Sequence, residues 1–377
     1  MREYQICKRC VMDTTDPDIV FDKAGICNHC KDAEEKLTRH PLNLSRKDLE
    51  SELEKLVQKI KTAGKNKKYD CVIGVSGGVD STFIAYKTKM LGLRPLAVHL
   101  DNGWNSELAV KNIENVLKKM EIDLYTYVLN WEEFKDLQLA FLRASTPDSE
   151  IPTDHAIHAL LYKIAAQYNV AHILLGYNTN TESIMPTAWS QGYFDWKYIK
   201  QLHKRYGSIP LKTFPRLSYL KIFYYQILKR ISYIYLLNYL DYVKEDAIEF
   251  LEKELNWQTY GAKHHESFYT KLFQSFILPE KFRFDKRKAH LSSMICAKQT
   301  TRDDALMELE KTPYSVEGLQ RDIDYAVTKF GITREDFDSI MSSPPKSFWD
   351  YPSYAKSWHY KIALAFYRFA RPKQASS

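Results

Sequence analysis

The 377-residue chain contains no apolar run approaching the ~20 residues that a membrane-spanning helix requires. The best candidate, residues 231–240, is bounded by Arg230 and Asp241 and is too short. The start, Met1-Arg2-Glu3-Tyr4-Gln5, lacks the apolar core of a signal peptide, so the expected compartment is the cytoplasm, where thiols stay reduced. There is no internal repeat, no low-complexity tract and no Gly-Lys-Ser/Thr, which excludes the Walker type of phosphate loop. A strong charge of one sign is also missing. Lys and Arg number 54 against 47 Asp and Glu, a net +7, which suits an anionic substrate such as a nucleotide and is too weak to argue for nucleic acid. What is present is ordinary for a globular protein: 45% apolar and 27% charged residues, enough chain for two domains or for one α/β domain with additions. Six cysteines in a reducing compartment point to metal or catalysis before disulfides.

Residues 1–45 carry four of those cysteines. Residues 46–61 read as a charged helix with Leu49, Leu53 and Leu56 on one face, broken at Gly64. Strands are then expected at 70–75, 94–100, 124–129 and 171–175, alternating with helices at 81–90, 106–120, from about residue 132, and at 153–168. Repeated βα units with apolar strands imply a doubly wound parallel sheet covered on both faces. Residues 46–195 are expected to form this α/β domain. Residues 196–377, aromatic and helical in pattern, are expected to form a substrate or partner region, with residues 216–243 read as helical and partly basic.

Cys7-Lys8-Arg9-Cys10 and Cys27-Asn28-His29-Cys30 are two CxxC pairs sixteen residues apart. Each pair lets two thiolates reach one ion, and two pairs close a tetrahedron of the structural zinc type. So small a segment cannot stabilise itself by apolar burial, and bound metal would supply its folding energy. An iron–sulfur cluster or a redox pair are the other readings. His29 is expected to be a bystander, and Cys71 to be buried packing; Cys296 has no visible partner.

Val75-Ser76-Gly77-Gly78-Val79-Asp80-Ser81 lies between the first expected strand and its helix. Paired glycines let backbone N–H groups turn onto an anion, and the helix start adds its positive end. Ser76 and Ser81 offer hydroxyls, and Asp80 can orient the loop or hold Mg²⁺. Two other stretches belong at strand ends: Asp101-Asn102-Gly103 after the second, and Gly176-Tyr177-Asn178-Thr179-Asn180-Thr181-Glu182 after the fourth. In a doubly wound sheet, ligands bind outside the carboxyl ends of the strands, so all three can line one crevice.

Ser76-Gly77-Gly78-Val79-Asp80-Ser81 resembles the PP-loop of the ATP pyrophosphatase superfamily, which splits ATP into AMP and pyrophosphate on an adenine-nucleotide α-hydrolase-like sheet. The wider arrangement resembles the N-acetyl sugar amidotransferases of bacterial surface-polysaccharide (O-antigen) synthesis. It adds Val11-Met12-Asp13-Thr14-Thr15 beside the cysteine pairs, residues 99–104, Ile151-Pro152-Thr153-Asp154-His155, residues 176–182, Tyr260-Gly261-Ala262-Lys263-His264-His265-Glu266-Ser267, and residues 282–290.

That resemblance implies an ATP-dependent amidotransferase. It would adenylate the acetamido group of a UDP- or CMP-linked N-acetyl sugar, using Mg²⁺ with ATP, and let ammonia displace AMP to leave an acetamidino group. The ammonia would come from a partner glutaminase complex: Arg2 follows Met1 and no cysteine sits in a nucleophile elbow, so no internal glutaminase is expected. The resemblance implies that Ser76, Gly77, Gly78, Val79, Asp80, Ser81 and Gly176 hold the ATP phosphates, and that Asp101 and Asn102 approach the adenosine; the alternative for these two is a turn with helix capping. Glu182 stands where many relatives carry an Asp-rich metal-binding turn. Lys263, His264 and His265 are candidates to shuttle a proton beside Glu266, or form a polar loop. Lys286 and Arg287 are candidates for phosphate contact, or form a solvated turn. Asp154, His155 and Asn178 are candidates to face the sugar. The tyrosine-rich stretch 219–242 is expected to be core, or a docking face for the ammonia source.

The competing reading is a zinc-ribbon PP-loop enzyme that modifies tRNA. Such thiolases need cysteines or an iron–sulfur cluster after the loop, and beyond Cys71 only Cys296 is available.

Overall fold

A computed structural model describes residues 3–260, 266–357 and 360. Among them five parallel strands form one sheet: β1 (Cys71–Gly74), β2 (Pro95–Asp101), β3 (Asp123–Val128), β4 (His172–Leu175) and β5 (Ser232–Tyr235), in the order β3-β2-β1-β4-β5. The helices before and between the first strands are α1 (Asn28–Leu37), α2 (Arg46–Ala63), α3 (Val79–Met90), α4 (Glu107–Lys119), α5 (Trp131–Ala144) and α6 (Ile151–Gln167). There follow α7 (Thr179–Glu182), α8 (Trp196–Tyr206), α9 (Tyr219–Phe223), α10 (Lys244–Leu255), α11 (Phe268–Leu272) and α12 (Arg287–Cys296). The series ends with α13 (Arg302–Glu310), α14 (Val316–Phe330) and α15 (Arg334–Ser342).

The inner strands β2, β1 and β4 are buried on both faces, as their near-continuous apolar runs require, whereas the edge strand β3 is largely exposed. Cys71, Ile73, Ala97 and Leu174 point to one side, with Ile84 of α3 and Ile113 of α4. Val72, Leu96, Val98 and Ile173 point to the other, with Leu160, Leu161 and Ile164 of α6. The amphipathic α2 joins the first layer through Val57 and Ile60, with Leu53 and Leu56 half-buried beside them. Ser45 caps its start by accepting from the Asp48 N–H. The chain runs outward from β1 through β2 to β3 and then returns to place β4 on β1's other side. That reversal opens a crevice at the carboxyl ends of β1 and β4.

Residues 216–243 are not one helix. After α9 and a wide turn at Tyr224–Leu228, Arg230 takes a left-handed φ of 54°. The chain then enters the sheet as β5, pairing Ser232 with His172 and Tyr235 with Leu175. A short apolar-aromatic run does not distinguish buried strand from helix by periodicity. The sheet therefore draws a strand from beyond residue 195, and α10 packs back on α3.

The segment between α8 and α9 has little regular structure and is tied down by two carboxylates of α5. Glu133 accepts from the Thr213 and Phe214 N–H groups, and Asp136 from Ser208 and Ile209 N–H, the Ser208 hydroxyl and His203. Buried carboxylates persist when each lone pair finds a donor. No helix among the described residues is long and apolar enough to cross a membrane.

Candidate active site and metal centre

At the amino terminus, Cys7, Cys10, Cys27 and Cys30 are fully buried, and their sulfurs all lie within 4.8 Å of one another. The Cys7–Cys30, Cys10–Cys27 and Cys27–Cys30 separations are 3.8, 3.7 and 3.7 Å. A tetrahedron with metal–sulfur bonds of about 2.3 Å needs sulfurs roughly 3.8 Å apart, so the spacing fits zinc. Backbone N–H groups of Arg9, Met12 and Cys27 approach the sulfurs at 3.3–3.4 Å and stabilise thiolate charge. Arg302 donates to the Cys7 and Cys10 carbonyls, and Val11 N–H to the Ser292 hydroxyl, which fastens the unit to α12 and α13. His29 is held by Asp16 at 2.6 Å, outside the sulfur cluster. Cys296, at the end of α12, is buried in the same apolar cluster as the four cysteines, a neighbour that residue spacing gave no means of seeing.

The loop after β1 begins as the pattern demands. Gly77 has φ +88°, and a Cβ there would stand 2.9 Å from the Ala109 carbonyl, so only glycine fits. The Ser76 N–H donates to the Ser81 hydroxyl at 3.2 Å, the Ser81 hydroxyl donates to the Gly78 carbonyl, and Gly78 N–H donates to the Ser76 hydroxyl. The Gly77 carbonyl is pinned by the indole N–H of Trp257 at 2.8 Å and the Tyr260 hydroxyl at 2.9 Å. With this carbonyl fixed, the amide-rich side of the turn and the α3 amino terminus, from Val79 on, have the chemistry to receive an anion. A Cβ on Gly176 would meet the Asp80 and Ser81 backbone at 2.9–3.0 Å, so the β4 turn presses on this loop. Asp80, half-buried, accepts a hydrogen bond from the buried Tyr242 hydroxyl. Burial first, then the Asp80 charge, raise that phenol far above its ordinary range, so Tyr242 stays a donor. Glu266 brings its carboxylate to the other side, 3.2 Å from where a Gly78 Cβ would be.

Tyr242, Trp257, Tyr260 and Glu266 are neighbours that strand-and-helix reading does not assign to the loop. The available signal was the stretch Tyr260–Ser267, singled out as a motif but without a place. Lys263, His264 and His265 of that stretch lie outside the described residues.

Asp101 and Asn102 organise the β2–α4 turn. Asp101 accepts from Gly103 N–H at 2.8 Å; Asn102 accepts from Trp104 N–H and donates to the Thr153 hydroxyl. Asn178 is fully buried, its side-chain oxygen capping α7 through the Thr181 N–H. His155 is also buried. It lies between Trp196 and Phe214, bridges the Tyr193 carbonyl and the Leu217 N–H, and is held neutral by burial, its pKa lowered to about 4. His155 thus turns into the core rather than toward a sugar, because its ring is packed between Trp196 and Phe214, while its neighbour Asp154 lines a cavity beside the β4 turn. Arg287 is taken up by Asp285 at 2.7 Å and by the carbonyls of Glu308, Leu309 and Lys311, where it ties the end of α13.

Beside the β4 turn opens a cavity of about 1120 Å³. Tyr177, Thr181 and Glu182 from that turn line it, with Asp154 of α6 and, opposite, Gln274, Lys286 and His290. Lys286 pairs with Glu150 at 3.7 Å, and Glu150 also accepts from Gln274 at 2.7 Å. Burial works against the Lys286 charge, but Glu150, Asp148 and Asp154 together hold its pKa above the ordinary lysine value. Asp80, Glu182 and Glu266 are the carboxylates by the loop that can meet a nucleotide-borne Mg²⁺, which takes one or two protein carboxylates plus phosphate oxygens. Among the described residues only the four cysteines form a preassembled metal-ligating group.

Two family models match the chain. One, described as LPS biosynthesis protein WbpG-like, C-terminal domain, matches residues 266–364; the other, NAD synthase, matches residues 48–213. Each covers less than half of the chain, and the two do not overlap. The NAD synthase match runs from α2 past β4 and so covers the phosphate loop and the first four strands of the sheet. A tRNA(Ile)-lysidine synthase from Chlamydia pneumoniae is 29% identical over 114 residues, 30% of this chain and 33% of that protein. The chain thus spans about a third of the length of that curated relative. Similar solved structures include an NH3-dependent NAD synthetase from Campylobacter jejuni (14% identity, TM-score 0.34, 71% of this chain and 98% of the other). An NMN synthetase from Francisella tularensis is another (16%, 0.29, 60% and 91%).

Proposed function

We propose that the chain is an ATP-dependent N-acetyl sugar amidotransferase. One observation carries this reading: the cavity beside the β4 turn, the turn that itself presses on the phosphate loop, is lined from both matched regions. Asp154, Tyr177 and Glu182 come from the part that resembles NAD synthase, and Gln274, Lys286 and His290 from the part that resembles WbpG. ATP on the loop and a nucleotide-linked sugar in the cavity would meet at the Gly176–Glu182 turn. An amide carbonyl is a poor electrophile and its oxygen a poor leaving group. Attack of that oxygen on the α-phosphorus expels pyrophosphate into the seat made by residues 76–81. Ammonia then adds to carbon, and AMP leaves with the former amide oxygen. The protein's contribution is to align the reactants, stabilise charge and exclude water. Mg²⁺ bound with ATP would neutralise phosphate charge. Zinc on the four cysteines would hold residues 1–45 together as a ribbon, with residues 46–195 as the nucleotide domain and 196–377 as the substrate and partner region. Ammonia is assigned to a separate glutaminase, and the compartment to the cytoplasm.

The test is to mix the protein with ATP, Mg²⁺, ammonium and UDP- or CMP-linked N-acetyl sugars, and to measure AMP, pyrophosphate and product mass. Sugar-dependent AMP release with conversion of a C=O to C=NH is expected. A second reading, a PP-loop enzyme acting on tRNA, is favoured by the lysidine synthase match; sugar-independent AMP release stimulated by tRNA would select it.

A further inference from the structure

We propose that Asp154 is the general base of the ammonia step, removing a proton from the nitrogen as it adds to the activated acetamido carbon. This rests on the reading above. Asp154 lies in the first turn of α6 and lines the cavity. The neighbouring carboxylates are already engaged: Asp148 accepts from the Ser190 hydroxyl at 2.5 Å and Glu150 N–H at 3.2 Å, and Glu150 holds Gln274 and Lys286. Asp154, by contrast, makes no side-chain hydrogen bond or ion pair among the described residues. Its oxygens are presented to the cavity and to whatever enters it.

The surroundings suit a base working near neutrality. Burial, then the charges of Asp148 and Glu150, push the Asp154 carboxyl up to about 8, with Lys286 opposing. The Tyr193 phenol faces it too and is raised to about 12, so it stays neutral. His158, one turn further along α6, also lines the cavity, but its Nδ1 is occupied by the Tyr233 hydroxyl and burial lowers its pKa to about 4. A base that is most effective has a pKa near the working pH.

The balance is as follows. The nitrogen lone pair forms the C–N bond to the N-protonated, O-adenylated acetamide, giving a tetrahedral centre bearing –NH3⁺. One proton passes to Asp154. The new amino lone pair then breaks the C–O bond, whose electrons leave with AMP, and an amidinium remains. Asp154 returns its proton to solvent.

The experiment compares wild type with Asp154→Asn and Asp154→Glu. It follows sugar-dependent exchange of labelled pyrophosphate into ATP, and amidine formation from neutral to mildly alkaline pH at constant free ammonia. Amidine formation by Asp154→Asn should fall about 10²-fold or more. That loss should exceed its loss of exchange at least tenfold, and the rising limb near pH 8 should vanish. Asp154→Glu should recover part of the rate and keep the limb. Parallel loss of both rates, or an unaltered limb in Asp154→Asn, overturns the proposal alone. Absence of sugar-dependent exchange in the wild type overturns the adenylation reading and this proposal with it.

Discussion

Cys7, Cys10, Cys27 and Cys30 reach their common centre from one short segment near the amino terminus, whereas Asp80 of the phosphate loop is met by Tyr242, and Gly77 by Trp257 and Tyr260. The first centre is local and closed; its chemistry would be to hold the chain. The second is gathered from strand ends and from a segment more than a hundred residues on, and shares the β4 turn with a cavity. The contrast teaches where function can be altered independently. A change in the loop should stop chemistry and leave the cysteine unit intact, and a change in the cysteine unit should act through folding.

The strongest test of that separation is Asp80→Ala. AMP formation should fall by about 10²–10³-fold or more, as for removal of a group aligned to the reacting charge, while bound zinc is unchanged. Retained turnover would reject the role of Asp80. Next comes Cys10→Ser, which should release roughly one equivalent of zinc and cost several kcal/mol of stability in the amino-terminal unit. Metal analysis with thermal unfolding checks it, and unchanged metal content rejects the site. Tyr242→Phe is smaller: loss of one hydrogen bond to a carboxylate, worth about 1.5–3 kcal/mol at most, should lower kcat by about tenfold or more with little change in zinc.

The smallest effect concerns neither centre. Burial works against the Asp136 charge, but N–H groups of Ile209 and Ser208, the Ser208 hydroxyl and His203 together lower its pKa below the ordinary value. A carboxyl depressed in the folded state stabilises it above the unfolded pKa, and that stability fades as pH falls through the lower, folded value. Asp136→Asn should therefore lower Tm by a few degrees at neutral pH. The gap should narrow as the pH falls below about 4. A gap independent of pH would contradict the assignment.

How legible each centre was follows from the same contrast. Four strands, the loop and the cysteine pairs carry their signal within a few residues, so spacing and apolar pattern suffice. β5 was hidden because an aromatic run of that length fits helix and strand alike, and only pairing with β4 decides. His155 illustrates a finer limit. Beside Asp154 in sequence, it turns into the core and bridges Tyr193 and Leu217, an outcome set by the packing of Trp196 and Phe214 rather than by its own neighbours. The Trp257 and Tyr260 hydrogen bonds to Gly77 depend on tertiary closure that no local pattern encodes.

The central claim is that the acetamido oxygen attacks ATP. It is tested most directly by placing ¹⁸O in that oxygen and examining the products by mass spectrometry after turnover with ammonium. The account predicts that the label leaves in the phosphate of AMP. Label retained in the sugar product while unlabelled AMP accumulates, or label found in pyrophosphate, would contradict it.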